Sequence, residues 1–460
     1  MSLAITVVAL FLRLAALGSQ SLWFDEVLTV KDALHPFSQI HREILASPPL
    51  FHYIVKVFYL FFGPHDFWLR FPAAIFGTLT VPVFYWGIRQ VSGPRTAFWG
   101  AFLLALSPIH VAYSQELRMY SLGALEVWAA MFFFDQALES DRFQDWAGVF
   151  AANLAGLYTH NWIVFFTISQ ALGYILHAVR ARARWVGGAL TFVAIALFYL
   201  PWIPWLQVES HRPVFSHIST PGFSELRDTL SALLSLNMSV GDCTLFMSVW
   251  IQRVFIVVGL AGIGAGMLLP GRDRARMNRL FLLGCVLPLL LAFLFSLFIK
   301  PIYMPSRYPV LTLPCFLIPL ARCIAMESRP ALKRFGLGIG LTWVILWCVT
   351  LGLYYRHFAK GGWKPVAQWM EAHAQGGDAV WMVPLGTIGI ALDYYLPPAI
   401  ARLEDPLAEG HSHLFVPYLV GGLGDSTPLL GPKMTHKWKI ETKYQWGGIR
   451  VLLLGLKSPQ

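Results

Sequence analysis

Charge is what this 460-residue chain has least of: 13% of its residues are Asp, Glu, Lys or Arg. A soluble domain carries about a quarter. Cysteine is scarce too. There are five, an odd number with no CxxC pair, so neither a disulfide framework nor a zinc site is indicated. No G-x-x-x-x-G-K-[ST] segment occurs, and ATP-driven transport has no support. No D-x-D occurs either, which argues against a metal-bound nucleotide sugar as a substrate. No internal repeat of the kind found in inverted-repeat transporters is visible. The N-terminus lacks a cleavable signal pattern. Arg13 interrupts the apolar run and no A-x-A site follows, so the first segment reads as a retained helix.

What the chain has is apolar sequence. Hydrophobic residues make up 56% of it, and long apolar runs recur through its first three quarters. The fold class is therefore an all-α polytopic membrane protein. About eleven spans are expected, near 3–18, 67–88, 96–112, 119–138, 146–159, 162–179, 185–205, 247–269, 280–299, 308–326 and 335–355. A membrane β-barrel would show alternating segments of about ten residues instead. The net charge of +10 follows from the connections between spans. With the N-terminus in the cytoplasm, Arg89 with Arg95, Arg142, Arg180 to Arg184, Arg272 to Arg279, and Arg329 with Lys333 and Arg334 all fall inside. That pattern sets topology and gives little support to nucleic-acid binding.

Two parts follow from this reading: a membrane domain over 1–355 and a tail over 356–460. Loops at 19–66, 113–118 and 206–246 face outward. The tail is polar enough for a small α/β extracytoplasmic domain. DAVWMVP reads as a strand, GTIGIALDYYL as a helix and IRVLLLGL as a further strand. In the first loop, Pro48 and Pro49 open a helix of about 14 apolar residues, too short to span and suited to the outer interface. Glycines 259–266 and 336–340 lie within spans and suit close helix packing rather than nucleotide binding. His411-Ser412-His413 is a weak metal motif that reads better as solvated loop.

Polar residues gather at the outer ends of the spans. Asp25 and Glu26 follow the first span, framed by Trp23 and Phe24. YSQELRMY, Tyr113 to Tyr120, joins the third and fourth, His160 and Asn161 lie between the fifth and sixth, and KPIYMPSRYP, Lys300 to Pro309, joins the ninth and tenth. Ionisable groups buried at a membrane boundary are costly, which makes such a gathering a functional hypothesis. Arg118, Lys300 and Arg307 suit a phosphate. A carboxylate beside them can serve as general base for an incoming hydroxyl. Together they describe glycosyl transfer from a polyprenyl-phosphate sugar. Trp23, Tyr113, Tyr120 and Tyr303 read as interfacial anchors first and sugar-stacking residues second. A transporter or flippase of a lipid-linked saccharide would use the same cations without a base and stays open as the alternative. A third reading is a catalytically inactive relative that scaffolds other envelope proteins.

The same segments carry a resemblance. DE after the first helix, the PPL-type helix, SPIHVAYSQELRMYSL, YTHNW and PIYMPSRYPVLTLP resemble the GT-C membrane glycosyltransferases over roughly residues 1–320. The likeness is greatest to bacterial protein O-mannosyltransferases and to the lipid A aminoarabinose and galacturonic acid transferases. It implies a GT-C fold and an inverting displacement at the outer face of a bacterial inner membrane, with a polyprenyl-phosphate sugar as donor substrate. The acceptor would be a lipid, glycan or protein. It implies Asp25 as the catalytic carboxylate, Glu26 as its support and Glu116 as a second active-site carboxylate. Arg307 would be a phosphate ligand. Tyr113, Arg118, His52, His160, Lys300 and Tyr303 complete the expected substrate-binding set. No metal ligand is assigned, and a divalent metal stays an open question. Many relatives carry a basic or imidazole residue just before the two prolines, where this chain has Ser47; His52, one turn on, is the residue in position to substitute.

Overall fold

The computed structural model describes residues 2–43, 47–181, 186–210, 218–240, 243–246, 248–327, 330–357, 360, 362–382, 389–408, 410–419, 434, 437–446 and 449–457. Arg182, Arg184 and Arg329 of the basic clusters lie outside the described residues, as do parts of the expected 206–246 loop and of the DAVWMVP and GTIGIALDYYL segments. The chain forms two compact units. The first comprises Met1–Leu17, Asp32–Val240 and Thr244–Phe358; the second comprises Gly18–Lys31, Gly241–Cys243 and Ala359–Gln460.

The first unit is mostly helical. Among the described residues, six helices are long and apolar enough to cross a membrane: Asp66–Ser92, Asn161–Val179, Val186–Gln207, Val249–Leu268, Arg274–Phe298 and Pro330–Arg356. Pro94–Leu106 and Pro108–Ser114, bent by 58° at Ser107, make a seventh if counted together. The remaining expected spans also fall on helices, Ser2–Leu14, Tyr120–Ser140, Phe143–Thr159 and Leu313–Ile324. These are shorter or, like Tyr120–Ser140 with Glu126 and Asp135, more charged, so length and composition alone support six or seven spans.

The burial pattern suits lipid. Val249–Leu268 exposes Val254 and Val257 and turns Gly259, Gly262 and Gly266 inward. A Cβ at Gly266 would collide with the backbone carbonyl of Pro319, so the stripe permits the close approach expected of it. Large apolar side chains point outward while charged ones are buried. Asp135 accepts hydrogen bonds from Arg276 Nε at 2.8 Å and Arg279 Nε at 3.1 Å. Arg322 pairs with Asp273 at 3.1 Å. Part of the Arg272–Arg279 cluster is thus tied into the helix bundle.

Helix Leu50–Phe62 begins after Pro49, as the two prolines require, and ends at Gly63, whose φ of 70° suits a residue without a side chain. It buries Phe51, His52 and Val55 and exposes Leu60 and Phe61. Lys56 Nζ donates to the carbonyls of Ala33, Leu34 and His35 at 2.6–3.3 Å, closing the end of helix Phe24–Leu34. The 206–246 region holds more structure than a loop: helix Phe223–Leu233 and short strands Asn237–Val240 and Cys243–Phe246.

The second unit holds a five-stranded mixed sheet. The strands are β1 (Ala379–Trp381), β2 (Ala401–Leu403), β3 (His413–Leu419), β4 (Trp438–Trp446) and β5 (Ile449–Leu456), in the order β2-β1-β3-β5-β4. β1 runs parallel to β2 and β3; β5 is antiparallel to β3 and β4. IRVLLLGL lies between β3 and β4 and is buried on both faces from Val451 to Leu454, with Leu414 opposite Leu454 and Val416 opposite Leu452. Edge strand β4 exposes Lys439 and Lys443, charges that discourage edge-to-edge pairing. Helix Trp363–His373 covers the sheet, its Trp369 stacked on Tyr444 at 4.7 Å. The three tail elements expected from sequence appear as β1, helix Gly389–Tyr395 and β5. His413 is the first residue of β3, bonded through Nδ1 to Asp378 at 2.9 Å, so the HSH segment is not simply solvated loop.

Candidate active site

In the first unit, the YSQELRMY segment begins in the last two residues of the short helix Pro108–Ser114 and continues beyond it. The helix begins at a proline after a non-helical Ser107 and ends at Gln115, so the next residues are released from regular structure. Tyr113, Gln115, Glu116, Leu117 and Tyr120 are buried. Gln115 fixes the turn: its Nε2 donates to the carbonyls of Leu12, Arg13 and Ala15, and its Oε1 accepts from Tyr354 at 2.9 Å.

Several expected site residues meet around this segment. Arg118 lies within electrostatic reach of both His52 and His160. His52 is 1% exposed, and burial first, then Arg118, pushes its pKa down to about 3. His160 is pushed to about 3 by the same two causes. Both imidazoles are neutral at physiological pH, beside a permanent cation. His160 Nδ1 accepts from the Trp162 backbone N–H at 3.1 Å, which leaves the proton on Nε2. Asp32 Oδ2 stands 3.7 Å from His52 Nε2.

Tyr113 links this group to the 300–309 segment. Its hydroxyl donates to the Ser306 carbonyl at 2.8 Å, and it lies within electrostatic reach of Glu116 and Arg307. Ring contacts continue the path: Tyr113 to Tyr120 at 4.9 Å, Tyr120 to His160 at 5.7 Å and His160 to Tyr308 at 5.1 Å. Trp162 then joins Tyr308 at 5.5 Å to Tyr303 at 6.2 Å. Tyr303 shares a 2.9 Å hydrogen bond with Thr229, and burial pushes its phenol up to about 12. Lys300 is half-buried just past helix Leu287–Phe298, its backbone N–H on the Phe295 carbonyl.

Asp25 and Glu26 belong to the second unit, at the N-terminus of helix Phe24–Leu34, where a carboxylate is favoured by the helix dipole. Their environments differ. Glu26 is fully buried; Oε2 accepts from the Trp23 N–H at 3.2 Å, half of a capping box, and Oε1 meets Lys360 Nζ at 3.4 Å. Asp25 is half-buried, and its carbonyl accepts from Thr29 Oγ1 at 2.9 Å. The tail holds this stretch by further bonds. Leu22 N–H donates to Tyr395 Oη at 2.6 Å, Lys360 N–H to Gln20 Oε1 at 2.9 Å and Lys364 N–H to Ser21 Oγ at 3.0 Å.

Asp32, Trp162, Tyr308, Thr229 and Lys360 were not singled out from sequence. Asp32 had a signal, lying two helical turns after Asp25 on one face of one helix. Lys360 had none, because its partner is 334 residues away. Among the described residues, no group of three His, Cys, Asp or Glu is arranged to hold a metal ion.

Residues 46–206 match the family model described as dolichyl-phosphate-mannose-protein mannosyltransferase. The structure resembles crystal structures of ArnT from Cupriavidus metallidurans. For the apo state the TM-score is 0.59 at 14% identity, covering 100% of this chain and 99% of ArnT. For ArnT bound to undecaprenyl phosphate it is 0.55 at 12% identity, with the same coverage. The apo oligosaccharyltransferase of Archaeoglobus fulgidus gives 0.54 at 14%, covering 90% of this chain and 69% of that one. No curated protein matches in sequence. The GT-C resemblance thus returns in the family match over 46–206 and in an ArnT-like fold over the whole chain.

Proposed function

Given an ArnT-like GT-C fold in a multi-pass membrane protein, we propose that the chain transfers a sugar from a polyprenyl-phosphate donor to an acceptor hydroxyl, with inversion. The observation that carries this reading is the group around Arg118: a fixed cation beside two neutral imidazoles, with Glu116 and Arg307 joined to it through Tyr113. Arg118 and Arg307 hold the donor phosphate, with Lys300 assisting, and stabilise the charge that grows as the C1–O bond breaks. His52 and His160, being neutral, are hydrogen-bond partners for sugar or phosphate oxygens and do not compete with the arginines for charge. ArnT has been captured with undecaprenyl phosphate, and a lipid of that kind is the donor carrier proposed here.

Asp25 removes the proton from the acceptor hydroxyl, whose oxygen attacks the anomeric carbon, and the polyprenyl phosphate departs with the bonding pair. Glu26, held by Trp23 and Lys360, supports Asp25. Glu116 orients the acceptor or the base. Helix Leu50–Phe62 and the 206–246 region limit hydrolysis by excluding water. The topology that goes with this reading has eleven spans, a cytoplasmic N-terminus, and both the site and residues 356–460 outside a bacterial inner membrane. The fold tolerates many sugars and acceptors.

The phosphate assignment is tested by undecaprenyl-phosphate binding to the detergent-purified protein. Arg118→Met and Arg307→Met should each weaken binding by about 10- to 100-fold, the worth of a charge-assisted hydrogen bond. Unchanged affinity in both would remove the phosphate from this site.

A further inference from the structure

Arg13 lies in the first helix, where an apolar side chain would be expected, and is fully buried. A guanidinium there is costly unless it has a task. Its partners define the task. Pro108 has no N–H to offer the carbonyl of Leu104, four residues back. The bend also turns the Ile109 N–H away from Ala105, toward Ser235 Oγ at 3.4 Å. Two carbonyls are thereby orphaned inside the protein, and each would cost free energy if left so. Arg13 Nη2 donates to Leu104 O at 3.3 Å, and Nη1 to Ala105 O at 3.3 Å. Nη2 also meets His110 Nδ1 at 2.8 Å, in the first turn beyond the bend. One side chain therefore grips both arms of the broken helix.

The grip is reciprocated. Gln115, at the far end of the second arm, donates to the carbonyls of Leu12, Arg13 and Ala15 around the end of the first helix. The 108–115 arm is thus stapled at both its ends to the end of the first helix; it carries Tyr113, and Glu116 and Arg118 follow at once.

We infer that Arg13 is a positioning residue: it holds the break at Ser107–Pro108 in the one geometry that presents Tyr113, Glu116 and Arg118 to the donor. This rests on the reading of those three as site residues. Arg13 touches no reacting group. Its effect reaches turnover through the angle of the 108–115 arm, where a displacement of about 1 Å can cost on the order of 100-fold in rate.

The experiment compares wild type, Arg13→Met, Pro108→Ala and the double variant as full-length protein in detergent. Thermal unfolding is measured beside sugar transfer from undecaprenyl-phosphate sugars. Pro108→Ala restores an N–H that can satisfy Leu104 in a straighter helix. Arg13→Met should therefore lower the unfolding midpoint far less in the Pro108→Ala background than in wild type. The double variant, though stable, should turn over roughly 10- to 100-fold more slowly than wild type. Arg13→Lys, which keeps one cationic donor, should recover part of the rate. Equal midpoint losses in both backgrounds would overturn the link between Arg13 and the break. Coupled midpoints with full turnover in the double variant would overturn the positioning role. If wild type itself turns over no donor, the functional reading falls and the positioning role with it, while the thermal comparison still decides whether Arg13 serves the break.

Discussion

Glu26 and Lys360 stand 334 residues apart in the chain, yet Lys360 Nζ lies 3.4 Å from Glu26 Oε1, and both side chains are closed to solvent. The pair fastens the start of helix Phe24–Leu34, the helix that bears Asp25, to the tail that follows the last long helix. Breaking such a pair from one side strands a buried charge. Lys360→Met should cost about 3–5 kcal/mol of stability. Adding Glu26→Gln to it should return much of the loss, because the stranded carboxylate is gone. Thermal unfolding of the two variants checks this; equal losses would mean the contact carries little.

His52 and His160 make the pH dependence predictable. Folding lowers each from 6.5 to about 3. The unfolded chain therefore binds more protons than the folded one below pH 6.5. The stability tied to the neutral imidazoles is full above that value and is lost progressively as the pH falls toward 3. His52→Gln, which cannot charge, should lose less of its thermal midpoint between pH 7.5 and 4.5 than wild type. Identical losses would show that His52 is not held neutral by the fold.

Gly77, in helix Asp66–Ser92, faces the arm that leads to the site. A Cβ there would overlap the Ser114 side chain and crowd Arg13 Nε. Gly77→Ala should destabilise by about 1–3 kcal/mol, as overpacking does. It should also slow turnover, because Ser114 lies two residues before Glu116. A stable, fully active Gly77→Ala would show that the arm tolerates displacement.

Much of the helical architecture was legible because apolar length is a local signal. Every expected span falls on a helix, and Gly259, Gly262 and Gly266 pack inward, while Gly264 faces open space. The number of spans was less legible: Tyr120–Ser140 buries Glu126 and Asp135, and the partners that make this tolerable come from other helices, Thr159 from the next one and Arg276 with Arg279 from one far along the chain. Within the site, YSQELRMY announced itself as a polar stretch between apolar runs, and its Arg118 lies within electrostatic reach of His52 and His160. Lys360 was invisible for the opposite reason, and the spacing of Asp32 from Asp25 did not name its partner. A lone lysine in a tail and an aspartate in a short helix look solvated until the fold supplies Glu26 and His52. The wide role of Arg13 was hidden too, because an orphaned carbonyl leaves no mark on its own residue type.

The central claim is that this chain makes a glycosidic bond with Asp25 as base. The most direct measurement is consumption of a panel of radiolabelled polyprenyl-phosphate sugars by the detergent-purified protein, with and without an envelope extract as acceptor source. The account predicts acceptor-dependent loss of one donor in wild type, abolished by Asp25→Asn with undecaprenyl-phosphate binding retained. Binding without turnover of any donor, or undiminished turnover in Asp25→Asn, would contradict it; the first result would favour movement of the lipid-linked sugar over its transfer.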